Sequence, residues 1–132
     1  MSREDFNQNS ILVKDIMSKS LITVNPMTTS FQIAKMMERG GIGAIIVKES
    51  NHPVGIITDR DFATKIAANN LPLDTPVGKI MSSPLVIINH TATLASAANM
   101  MSSGKIRKLA VSNNDKIIGI ITSTDLVNQL AK

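Results

Sequence analysis

The sequence predicts an α/β (α+β) fold made of two copies of one small β-α-β-β-α unit, packed sheet to sheet with pseudo-two-fold symmetry. Three observations carry this. The chain falls on itself without a gap when shifted by 64 residues, which places Val13 on Val77 and Asp61 on Asp125. Each copy alternates short β-branched runs with stretches of helical spacing. The runs are nearly all aliphatic, so both faces of each sheet want cover. Helices supply one cover, and the sheet of the other copy is the obvious second. A fully buried Ile or Val contributes about 1.5–3 kcal/mol relative to exposure, which makes that burial hard to forgo.

The repeat is dense. Val13, Ile16, Met17 and Ser18 recur as Val77, Ile80, Met81 and Ser82, and Leu21 recurs as Leu85. Ala34, Met36, Met37 and Gly40 recur as Ala98, Met100, Met101 and Gly104. Taken in order, residues 21–24 read as a strand stopped by Pro26. Residues 29–39 read as a helix with Thr29 as N-cap, Ile33, Met36 and Met37 on one face, and Gly40 as its stop. Residues 44–47 and 54–58 read as an antiparallel pair around a polar turn at 48–53. From Asp59 the spacing is helical again, with Phe62, Ile66 and Ala67 on one face. The second copy repeats the pattern at 85–88, 93–103, 109–111, 117–122 and 123 onward. Domain bounds of 11–70 and 75–132 follow, with a polar tail at 1–10 and an exposed link carrying Pro72 and Pro76.

The composition is that of a soluble globular protein, 43% apolar and 18% charged over 132 residues. Cysteine is absent, which suits a cytoplasmic location, and no apolar run is long enough to cross a membrane. The net charge of +4 raises nucleic-acid binding. Yet only Lys105, Arg107 and Lys108 cluster, and with no Tyr or Trp a base-stacking platform is missing. A small phosphate-bearing ligand fits the surplus equally well. His52 and His90 have no partners at metal-ligand spacing and read as solvent-exposed. Asp59 and Asp61 lack a nucleophile, and Asp59 is replaced by Ser123 in the other copy, so no catalytic residue is expected. The paired methionines read as core or as contacts between chains.

One motif stands out. Gly55, Ile56, Ile57, Thr58 and Asp61 recur as Gly119, Ile120, Ile121, Thr122 and Asp125. Thr followed three residues on by Asp is a capping box at a helix start. The same corner offers a hydroxyl and backbone N–H groups to a phosphate, and a carboxylate to a ribose diol. Both readings fit the same residues.

From Val13 to the end the sequence resembles two CBS domains, a Bateman module. The resemblance rests on the order of features repeated at one spacing: residues 13–17, the run Leu21, Ile22, Thr23, Val24 with Pro26, the Met-rich helix, and the Gly-Ile-Ile-Thr-x-x-Asp ending, with Ile106, Arg107, Lys108 and Leu109 in a form common in the family. It implies a non-catalytic, ligand-sensing regulator that acts on an unknown partner protein in trans. It also implies a helix-mediated homodimer and an adenosine ligand such as AMP, ADP, ATP or S-adenosylmethionine, with no metal or other cofactor.

Carried onto this chain, the resemblance implies a primary cleft of Thr58, Asp61, Arg107, Leu85, Val86 and Ile87. A secondary cleft would hold Thr122, Thr124, Asp125, Ile22, Thr23 and Val24. Gly43 stands where the second cleft would want the match of Arg107, so the Asp61 cleft is expected to fill first. Helix residues Met36, Met37, Met100, Met101, Phe62 and Leu126 are candidates for the dimer surface. The rival functions are a ligand-free structural or protein-interaction module and a weak nucleic-acid binder.

Overall fold

The computed structural model describes residues 11–132, so the tail expected at 1–10 lies outside the described residues. In chain order the elements are α1 (Val13–Ile16), β1 (Thr23–Val24), α2 (Ser30–Gly40), β2 (Ala44–Glu49), β3 (His52–Thr58) and α3 (Asp59–Asp61). The last of these runs on as a wider π-helical turn (Phe62–Ala67) and is followed by a 3-10 turn (Val77–Lys79). Then come β4 (Ile87–Asn89), α4 (Leu94–Gly104), β5 (Lys108–Asn113), β6 (Lys116–Thr122) and α5 (Ser123–Leu130). Among the described residues there are two three-stranded sheets, ordered β1-β2-β3 and β4-β5-β6, each with one parallel and one antiparallel pairing.

The helices start where capping chemistry allows. The Thr29 hydroxyl accepts the Gln32 N–H at 3.2 Å while the Gln32 side-chain oxygen accepts the Thr29 N–H at 3.0 Å. Helix α2 stops one residue later than expected. Gly40 stays helical and Gly41 takes the left-handed conformation, φ 62°. The first hairpin is also tighter than expected. Ser50 and Asn51, at φ 50° and 66°, form a two-residue turn, so the strands extend to Glu49 and His52. Ile45, Ile46 and Val47 are all fully buried although successive side chains face opposite ways, so both faces of that sheet are covered.

The compact units do not coincide with the sequence repeats. One is Ile22–Leu85, and the other joins the first described residues, up to Leu21, to Val86–Lys132. The segment that leads each copy therefore belongs to the unit of the other copy. Val77 and Ile80 complete a core of Ile33, Ile45, Val47, Ile57 and Ile66. Val13 completes the matching core of Ile88, Leu94, Ala97, Met101, Leu109, Val111 and Ile121. Met101 is thus core rather than dimer surface. Met37, Phe62, Met100 and Leu126 also pack against the two cores, which leaves Met36 as the exposed member of that set.

Each leading segment docks on the outer strand of its unit through paired backbone hydrogen bonds. Ser82 and Ile56 exchange N–H···O bonds of 2.8 and 3.0 Å, as do Ser18 and Ile120. This close approach explains the glycine of the motif. A Cβ on Gly55 would stand 2.7 Å from Met81 Sδ and 2.9 Å from the Ser82 carbonyl oxygen. On Gly119 it would stand 2.5 Å from the Ser18 carbonyl oxygen.

Two expectations follow. A fragment of residues 22–85 will show cooperative thermal unfolding by circular dichroism, whereas a fragment of residues 11–70, cut at the repeat boundary, will not. Gly55→Ala in the full chain will cost about 1–3 kcal/mol in denaturant titrations, the range for overpacking. A cost below about 0.5 kcal/mol would show that the leading segment is free to move aside.

Candidate functional site

The site is the corner where the last strand of each copy turns into a helix. Thr58 and Thr122 are the N-caps, both extended with φ near −122°. In the second copy the Thr122 N–H donates to Asp125 Oδ2 at 2.8 Å, and the Asp125 N–H donates to Thr122 Oγ1 at 3.2 Å. The first copy has the same reciprocal box, with Thr58 N–H to Asp61 Oδ2 at 2.9 Å and Asp61 N–H to Thr58 Oγ1 at 3.4 Å. The capping reading of the motif is therefore realised at both ends, and it still leaves room for a ligand wherever the carboxylate keeps acceptor capacity.

The two corners differ in what else reaches the carboxylate. Asp61 is buried, 5% exposed. Its Oδ2 also accepts the Thr58 hydroxyl at 3.1 Å. Its Oδ1 accepts the Ser82 hydroxyl at 3.0 Å and pairs with Lys65 Nζ at 3.1 Å. Lys65 donates further to the carbonyl oxygen of Ile80 at 2.8 Å, tying the helix to the docked leading segment. Asp125 is half-buried, and no partner beyond its own capping box is found for its carboxylate among the described residues. Gln129 stands in the position of Lys65, and Ser18 in that of Ser82. Lys65 and Ser82 were not singled out from the sequence. The Asp61–Lys65 spacing of four, a helical ion-pair spacing, was the available signal for the first. The second depends on the tertiary docking and has no local sequence signal.

Taken unit by unit, the structure groups the expected residues as follows. Ile22, Thr23, Val24, Thr58, Asp61 and Leu85 belong to one unit. Val86, Ile87, Arg107, Thr122, Thr124 and Asp125 belong to the other. In the second unit the Ser123 N–H donates to the Arg107 carbonyl oxygen at 2.8 Å, and Lys108 lies opposite Thr122 in the β5–β6 register. The Asp125 corner thus has two basic residues at the start of the neighbouring strand. The first unit has Gly43 and Ala44 there, with the Asp59 N–H donating to the Gly43 carbonyl oxygen at 3.2 Å. Arg107 and Thr124 are exposed, and so are the aliphatic side chains of Ile22, Val86 and Ile87.

His52 is exposed as expected, but His90 is half-buried and its Nδ1 is enclosed without a hydrogen-bond partner among the described residues. Its backbone is held on both sides, its N–H bonded to the Ser112 carbonyl oxygen and its own carbonyl oxygen receiving the Lys14 N–H. No group of three or more metal-capable side chains occurs among the described residues. No helix among them is long and apolar enough to cross a membrane.

Known proteins share both the sequence pattern and the architecture. The CBS domain-containing protein YhcV of Bacillus subtilis is 36% identical over 120 residues, which cover 90% of this chain and 86% of that protein. The CBS domain pair of protein MJ0100, solved in complex with 5'-methylthioadenosine and S-adenosyl-L-methionine, superimposes with a TM-score of 0.83 at 28% identity. That match covers 92% of this chain and 96% of the other. A hexameric CBS-CP12 protein from bloom-forming cyanobacteria matches with a TM-score of 0.83 at 25% identity, over 89% of this chain and 71% of the other. The CBS domain model itself matches twice, at residues 13–68 and 77–132, the two copies that the repeat defines. With the duplicated Thr-x-x-Asp corner and the docked leading segments, these matches establish that the chain belongs to the CBS domain family, as a tandem pair.

Proposed function

We propose that this chain is a regulatory sensor that takes up an adenosine-bearing ligand at a Thr-x-x-Asp corner and modulates a partner protein in trans, without catalysis. The observation that carries the reading is the Asp125 corner. There a half-buried carboxylate with spare acceptor capacity adjoins a helix N-cap, and Arg107 and Lys108 open the adjacent strand. A carboxylate in that setting suits a ribose diol. A guanidinium suits phosphate or another anionic group. The adenosine compounds held by the CBS pair of MJ0100 support the same ligand class.

AMP, ADP, ATP and S-adenosylmethionine are the candidate ligands. Thr58 and Asp61 form one proposed corner, and Thr122, Thr124 and Asp125 the other. Ile22, Thr23 and Val24, with Leu85, Val86 and Ile87, are the proposed base-lining residues, and Arg107 is the proposed phosphate partner. The module is proposed to act as a cytoplasmic homodimer through its helices. Phe31 on α2 and Val127 and Leu130 on α5, each at least half exposed, supply apolar surface for that contact. The same surface favours the second reading, an interaction module with empty clefts.

Titration calorimetry with AMP, ATP, S-adenosylmethionine and adenosine will show saturable binding of at least one of them. Asp125→Ala will weaken that binding about ten- to a hundredfold, the equivalent of losing a hydrogen bond to a charged group, about 1.5–3 kcal/mol. ATP incubated with the protein will remain intact. If none of the four binds at millimolar concentration, the interaction-module reading stands in place of this one.

A further inference from the structure

The two corners carry the same motif, yet one of them is already occupied by the chain itself. An ionised carboxylate offers about four acceptor positions, two on each oxygen. At Asp61 three donors hydrogen-bond to them, the Thr58 N–H and hydroxyl on Oδ2 and the Ser82 hydroxyl on Oδ1, and the Lys65 ammonium stands against Oδ1 as an ion pair at 3.1 Å. A ribose diol brings two further donors, and Asp61 has one position left, on the oxygen that Lys65 already faces. To bind, the diol would have to displace Lys65 and Ser82, and displacing Lys65 would also break its bond to the Ile80 carbonyl oxygen. The helix itself departs from its counterpart here. Lys65 lies in the π-helical turn Phe62–Ala67, a form frequent at functional sites, whereas the second copy continues as regular α5.

We infer that Lys65 is an intramolecular latch that closes the Asp61 corner to diol-bearing ligands, so that each chain takes up one adenosine ligand, at the Asp125 corner. The inference rests on the adenosine reading above and adds to it the residue that makes the two copies unequal. It also reverses the order of filling expected from the placement of Arg107 alone. The charge of Lys65 neutralises Asp61 from within, and the Ser82 hydroxyl ties that carboxylate to the leading segment docked on β3. In the second copy Gln129 carries no charge to offer, and Asp125 keeps its acceptor positions.

Exchanging the two residues tests this. Lys65→Gln gives the first copy the side chain of the second, and Gln129→Lys does the reverse. Calorimetric titration with adenosine, which carries the diol without phosphate, will give one site per chain in the natural protein and two in Lys65→Gln. Gln129→Lys will weaken the single site at least tenfold. Unchanged stoichiometry in Lys65→Gln together with unchanged affinity in Gln129→Lys would overturn the latch. A second measurement needs no ligand. Amide hydrogen exchange at Ser82, whose N–H bonds to Ile56, will accelerate at least tenfold in Lys65→Gln and not in Gln129→Lys. If adenosine binds none of the three proteins, the adenosine reading falls and the exchange rates alone decide the latch. Equal Ser82 exchange in the natural protein and Lys65→Gln then refutes it.

Discussion

The structure hangs on the docking of a short leading segment against the free edge of each three-stranded sheet. Without it β3 and β6 would present unpaired backbone groups and an uncovered aliphatic face. The paired bonds of Ser82 with Ile56 and of Ser18 with Ile120 quench part of that edge. Val77, Ile80 and Val13 fill the core beside it. The motif glycines follow from the same constraint, since the segment lies too close to the strand to admit a Cβ. A glycine within a strand weakens it in isolation, and here that cost is offset by the backbone pairing it permits.

The same docking sets the chemistry of the corners. Ser82 reaches Asp61 only because its segment is fixed on β3, and Lys65 reaches both the carboxylate and the segment. A buried carboxylate is costly unless it is paired and hydrogen-bonded, and Asp61 meets both conditions within its own unit. Asp125 is half-buried and less engaged, and the basic residues Arg107 and Lys108 of its unit stand at the start of the neighbouring strand rather than on its own helix. One motif thus serves two purposes in a single chain. In the first copy it closes a structural network, and in the second it leaves a carboxylate able to accept.

Much of this architecture is legible in the sequence. The repeat, the helix cap at Thr29, the existence of the hairpins and the Thr-x-x-Asp corners follow from local pattern. The assignment of the leading segments was not readable, and the reason is specific. Val13 to Ser18 and Val77 to Ser82 share their key residues, so either segment fits either sheet on composition. Only the tertiary arrangement decides which it joins. Helix α2 stops at Gly41 rather than at Gly40, because two glycines are adjacent and both can end a helix. In the second copy Lys105, φ 53°, holds the left-handed position despite its Cβ, a place that glycine composition could not reveal. The methionine pairs were ambiguous between core and surface because spacing of one residue straddles both faces of a helix. Burial resolves Met101 to the core and Met36 to the outside.

The crossing of the leading segments also bears on how such a chain could arise. A single copy has its leader attached to one sheet, while the leader that completes that sheet belongs to another copy. Alone, it could finish its edge only by borrowing the leader of a second molecule, a concentration-dependent step of the kind seen in exchanged dimers. Joining two copies in one chain supplies that leader at an effective concentration in about the millimolar range. Gene fusion would then convert a partnership between molecules into a folding step within one. Only after that conversion can the two halves diverge independently, one with an open carboxylate and the other with its carboxylate paired to a lysine.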